Sequence, residues 1–85
     1  METALLSLAD ERKHLAQADR DIAMGEERIA RQVELIEEMR VGGHSVVEAE
    51  KLLHALRQCL ETWREHRNEI LRAILRLESD GAGAD

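Results

Sequence analysis

The sequence predicts an all-α chain, a long antiparallel helical hairpin of coiled-coil character that dimerises into a four-helix bundle. Three observations predict it. The 85 residues include no Pro, Phe or Tyr and one Trp, and Leu, Ala, Glu and Arg dominate, which is helix-forming composition. An apolar residue recurs every seven positions through the first half, at Leu8, Leu15, Ile22, Ile29 and Ile36. Near the middle, Gly42-Gly43 is followed by Ser45-Val46-Val47-Glu48, a glycine stop and a Ser/Glu start. The expected organisation is one hairpin over residues 1–78, with helix 1 about 4–41, a turn at 42–45 and helix 2 about 46–78, then a disordered tail at 79–85.

Thr3 is the expected N-cap of the first arm, followed by Ala4, Leu5 and Leu6 as helix formers. A seven-residue apolar repeat of this length marks a coiled-coil seam. One place after each rung lies Ala9, Ala16, Ala23 or Ala30, a small-residue stripe read as allowing close helix approach. Four places after each rung, the second seam position is read as Arg12, Asp19, Glu26, Val33 and Arg40. Three consecutive charged residues there are unusual for a core. Gly25, mid-helix, costs roughly 1 kcal/mol relative to Ala and marks a kink or a place where a bulky group needs room.

At the turn, Gly42 is assigned the left-handed position that ends many helices, and Gly43 adds freedom. Ser45 is then the N-cap and Glu48 its capping-box partner. The second arm carries two interleaved apolar registers, Val46, Leu53, Leu60, Arg67, Ile74 and Ala49, Leu56, Trp63, Ile70, Leu77. Leu52, Cys59, His66 and Ala73 flank this seam, and Val47, Leu71 and Leu75 add further apolar surface. A strict two-helix seam needs two positions in seven, so the surplus points to another partner. The last seven residues hold no apolar side chain larger than Ala, hence the expected tail.

A reversal centred on Gly43 pairs residues whose numbers sum to about 86. Leu15 then falls near Ile70, Leu8 near Leu77, and Ile29 near Leu56. The same rule sets Asp19 against Arg67, the one charged residue in the second arm's inner registers, as a charge-assisted pair that disfavours slipped registers. It sets Trp63 beside Ala23, with Gly25 nearby and Asp19 or Glu26 as acceptor for the indole N–H. Trp63 is read as the central core residue.

The 12 basic and 18 acidic residues give a net charge of −6, and each arm mixes both signs, which argues against nucleic-acid binding. No apolar run approaches membrane-spanning length, and the single Cys59 excludes an intrachain disulfide framework and suits a reducing, cytoplasmic setting. Chemistry is poorly served. Of His14, His44, His54 and His66 only His14 completes a Glu-x-x-His, Glu11-Arg12-Lys13-His14, and a di-iron bundle takes such a motif from each of two helices. Cys59 and His66, one heptad apart, offer two of the roughly four donors zinc requires. Cys59 in an apolar flank is packing material rather than an activated nucleophile, and no serine has an evident base. The expectation is a chain that is not an enzyme and holds no cofactor.

His14-Leu15-Ala16, Asp19, Ile22, Gly25-Glu26, Ile29-Ala30 and Gln32 resemble the first arm of a group of short, uncharacterised alphaproteobacterial proteins. Gly43-His44, Ala49, Leu52-Leu53, Leu56, Leu60, His66-Arg67 and Ile70-Leu71 resemble their second arm, so the resemblance covers about residues 14–76. It implies a bacterial source and a helical hairpin, and no activity. The functional expectation is a non-enzymatic structural or regulatory interaction module, a homodimer with a further, unknown protein partner. The alternative is a small ligand- or metal-binding bundle using His14, Glu26, Cys59 or His66.

Overall fold

The computed structural model describes residues 2–83, with side-chain surroundings from 8 to 80. Two helices account for nearly all of it: α1, Glu2–Val41, and α2, Val47–Gly83. They lie antiparallel along each other in a rod of 66 × 15 × 14 Å. The described residues hold no strand and no helix long and apolar enough to cross a membrane.

The reversal is a Schellman closure. The Gly42 amide still donates to Glu38 O at 3.0 Å, the Gly43 amide turns to Arg40 O at 3.1 Å, and the His44 amide reaches Met39 O at 2.8 Å. Gly43, not Gly42, takes the left-handed conformation, with φ 77°. Gly42 is the last residue to make a helical amide bond. The first amide bond of α2 runs from Glu50 to Val46 O at 2.8 Å, which makes Val46 the capping position and leaves Ser45 one residue outside. The capping box between Ser45 and Glu48 is therefore not formed, and Glu48 accepts from Lys51 Nζ at 3.2 Å instead. Glu48 and Glu50 still occupy the first turn of α2, where their charge meets the positive end of the helix dipole.

Both helix ends differ from expectation. Thr3 lies inside α1, which starts at Glu2, since nothing in Glu2-Thr3-Ala4 interrupts a helix. Ser79–Gly83, expected as tail, continues α2. With no proline to block the amide ladder, two glycines do not stop it. Ala84 and Asp85 lie outside the described residues.

In heptad letters, with a at Leu8, Leu15, Ile22, Ile29 and Ile36, the partner seam position of α1 is three residues on, not four. Glu11, Ala18, Gly25, Gln32 and Met39 (position d) are buried or half-buried, whereas Arg12, Asp19, Glu26, Val33 and Arg40 (position e) are exposed. Position d holds one large apolar residue in five, so hydrophobicity does not mark it. Its Ala18 and Gly25 supply the close approach expected of the alanine stripe, while Ala9, Ala16, Ala23 and Ala30 face outward, exposed. In α2 the two predicted registers are the seam (a at Val46 and Leu53, d at Ala49 and Leu56). All but Trp63 in them are at least half-buried.

The core is a line, not a globule. Ala18, Ile70 and Ile74 form its best-covered cluster, with Leu8 and Leu15 packed against it; the register rule expects Leu15 there, beside Ile70. Ile36 and Leu60 are buried further along, and among the described residues no side chain falls below 2 % exposure. Two helices cannot surround a residue on all sides.

Candidate interaction surface

The two long edges of the hairpin differ in chemistry. In an antiparallel pair, e faces e and g faces g. Along the e edge every charged residue of α1 meets an opposite charge on α2: Arg12 with Glu78 at 3.2 Å, Glu26 with Arg64 at 3.6 Å and Arg40 with Glu50 at 3.1 Å. The fourth, Asp19, accepts from Arg67 Nε, the pair expected from the register rule. The consecutive charges that looked wrong for a core are thus an outer clasp. Exposed ion pairs of this kind contribute about 0.2–1 kcal/mol each, and their order of signs along α1, plus, minus, minus and plus, disfavours slipped registers. Asp19 and Arg67 side chains are 52 % and 35 % exposed, so this is a surface pair rather than a buried charge couple. Val33 is the uncharged exception in the row. Beside it Arg57 lines an open groove of about 530 Å³ together with Ile36, Glu37, Arg40, Glu50, Leu53 and His54.

The g edge has no ion pair between helices among the described residues. It is formed by His14, Asp21, Arg28 and Leu35 of α1 against Leu52, Cys59, His66 and Ala73 of α2. Leu35 and Leu52 are 45 % and 50 % exposed toward the turn, and Met24, three turns earlier on α1, is 61 % exposed. Trp63 sits at this edge, 37 % exposed, not at the centre of the core. Its ring lies over Gly25 rather than Ala23: a Cβ added at Gly25 would stand 3.2 Å from Trp63 Cζ3 and 3.4 Å from Leu60 Cδ1. Position 63 is a seam position, but a thin rod has no interior wide enough for an indole. The ring slides outward over the one residue that offers no side chain. Gly25, Arg28, Leu52, Cys59 and Trp63 border a shallow groove of about 230 Å³. Glu26 and Asp19 are engaged by Arg64 and Arg67, not by the indole.

Gln32 went unnoticed as a seam residue. It is 9 % exposed, and its Nε2 donates to Ala49 O at 2.9 Å, tying the C-terminal part of α1 to the first turn of α2. Reading the seam three residues after each rung would have revealed it.

The histidines and the cysteine do not converge. His14 Nδ1 is 3.9 Å from Glu11 Oε1, and His66 Nδ1 is 4.0 Å from Glu69 Oε2, both local contacts on one helix. Cys59 is an exposed free thiol. Among the described residues no three His, Cys, Asp or Glu side chains come together in a group able to hold a metal ion.

The fold and these edges define an antiparallel α-helical hairpin with one edge bridged by ion pairs and one, of mixed character, without them among the described residues, where Leu35, Leu52 and Trp63 are exposed. Comparison with family models, with curated proteins and with solved structures found no match to the chain.

Proposed function

We propose that the chain is a non-enzymatic structural or regulatory module that presents helix faces to protein partners and self-associates, most simply as a homodimer forming a four-helix bundle. The observation that carries this reading is the contrast between the edges. Ion pairs bridge one along its length, with Val33 its exposed exception, while Met24, Leu35, Leu52 and Trp63 stay exposed on the other. Rimmed apolar patches on small proteins mark sites of association, and a line-shaped core gains most from a second layer. A reducing, cytoplasmic setting fits the exposed Cys59 thiol.

Sedimentation equilibrium at low micromolar concentration tests the reading. A mass of two chains, falling toward one on dilution, is expected. A single-chain mass at all concentrations, with full helical circular dichroism, overturns self-association.

A further inference from the structure

We infer that a second copy of this chain docks on the g edge in reversed direction, about a two-fold axis at the level of Gly25 and Trp63. This rests on the self-association reading above and specifies the face and register.

The area fits a second copy. The chain exposes 6535 Å², whereas a compact folded chain of 9.7 kDa exposes about 5100 Å². The excess, about 1400 Å² per chain, lies in the range that a stable homodimer buries on each partner. The centre of the edge suits it too, because Met24 and Trp63 are exposed there beside the groove over Gly25.

Charge complementarity selects the register. A two-fold contact is self-complementary, so residue i meets j and j meets i. The g positions of α1 are His14, Asp21, Arg28 and Leu35. Of the heptad-consistent centres across an antiparallel two-fold, three lie in the middle of the arm, at Asp21, at Arg28 and midway between them. A centre at Asp21 sets Asp21 against itself, and one at Arg28 sets Arg28 against itself. The centre midway between them, beside Gly25, sets Arg28 against Asp21 of the second copy, twice by symmetry. Among the described residues Arg28 makes no ion pair within the chain and the Asp21 carboxylate accepts only from Gln17, at 2.9 Å. The level of Gly25 on α1 is that of Thr62 and Trp63 on α2. The same axis there sets Leu52 against Ala73, Cys59 against His66 and Glu48 against Arg76 of the second copy. One axis thus covers Leu52, sets Leu35 against His14 and pairs Arg28 with Asp21 and Glu48 with Arg76, while toward the ends of α1 it brings Asp10 to the level of Glu38.

The test is sedimentation equilibrium of wild type, Arg28→Glu, Asp21→Arg, an equimolar mixture of the two single variants, and the double variant, with circular dichroism confirming equal helicity. Each single variant is expected to weaken the dimer about tenfold or more. The double variant and the mixture are expected to return to within about threefold of wild type, because each restores Arg–carboxylate pairing across the axis. Recovery in the mixture also shows that the single variants are folded. A wild-type dimer indifferent to the single substitutions, or single losses that neither the double variant nor the mixture repairs, overturns this register while leaving self-association standing. A monomeric wild type overturns both.

Discussion

Gly25 and Trp63 fit each other as space and filler: a Cβ at position 25 would come within 3.2 Å of the indole Cζ3. Glycine inside a helix costs about 1 kcal/mol relative to alanine, so its presence at mid-α1 reflects the ring that lies over it. Gly25→Ala is expected to gain helix propensity and lose it again by pushing the indole outward, for a net change near zero. In a Trp63→Ala background the same substitution is expected to stabilise by about 1 kcal/mol. Urea unfolding of the four proteins measures the coupling, and an equal effect in both backgrounds would show that the glycine serves something other than the ring. Because Trp63 is partly exposed, Trp63→Ala is expected to cost less than the roughly 3–5 kcal/mol of a fully buried aromatic.

Asp19 and Arg67 were placed together by residue numbering alone, and they meet. Their exposure changes the energetics that the sequence suggested. A buried couple punishes removal of one member severely, but water solvates whichever of these is left. A double-mutant cycle with Asp19→Ala and Arg67→Ala is expected to give a coupling of about 0.2–1 kcal/mol. The coupling should shrink in 1 M salt, where screening acts within about 3 Å. Arg67→Met should be milder than Arg67→Ala, since the half-buried stem packs against the seam. A coupling of several kcal/mol, or one that ignores salt, would contradict a surface pair.

The hairpin, its turn and the registers of α2 were legible because each is written in hydrophobic period or glycine placement. Leu53, Leu60, Ile70 and Ile74 face inward, as their spacing requires. The second seam row of α1 was not legible, because Glu11, Ala18, Gly25 and Gln32 carry little hydrophobicity. Position d there is defined by what α2 brings to it. The cap of α2 was misread for a related reason. The motif Ser45-Val46-Val47-Glu48 satisfies the local rule, but the Schellman closure at Gly43 decides where the chain re-enters a helix, one residue later. The exposed apolar residues of the g edge are signalled in the sequence only as a surplus on α2, and the interhelical ion pairs of the other edge set this one apart.

Gln32 offers a test of polar specificity inside the seam. Its amide donates to Ala49 O at 2.9 Å, a carbonyl at the start of α2. Gln32→Glu keeps the shape but presents a carboxylate to a carbonyl in a half-apolar seam, and is expected to cost about 1–3 kcal/mol at neutral pH, the range for a buried polar group left without a partner. Gln32→Leu removes the bond without leaving a charge, and is expected to change stability by no more than about 1 kcal/mol either way. Thermal unfolding distinguishes the two. If Glu and Leu are equally tolerated, the Gln32 hydrogen bond does not hold α2 to α1.

The paired glycines of the turn have separate duties, and substituting each with alanine should separate them. Gly43 sits at φ 77° with no atom within 4 Å of an added Cβ, so a side chain there meets backbone strain but no crowding. Gly43→Ala is expected to destabilise by about 1–2 kcal/mol, the cost of a left-handed conformation for an L-residue. Gly42 lies outside that region, and its added Cβ would touch the ring of His44 at 3.0 Å. That ring belongs to an exposed side chain free to rotate away, so Gly42→Ala is expected to stay within about 0.5 kcal/mol of wild type. Gly43→Asn should recover part of the loss, because asparagine tolerates the left-handed region better than alanine does. Denaturant midpoints of the three variants decide the matter. A larger loss at Gly42 than at Gly43 would place the reversal one residue earlier and shift the whole of α2 relative to α1, moving Arg67 off Asp19 and Trp63 off Gly25.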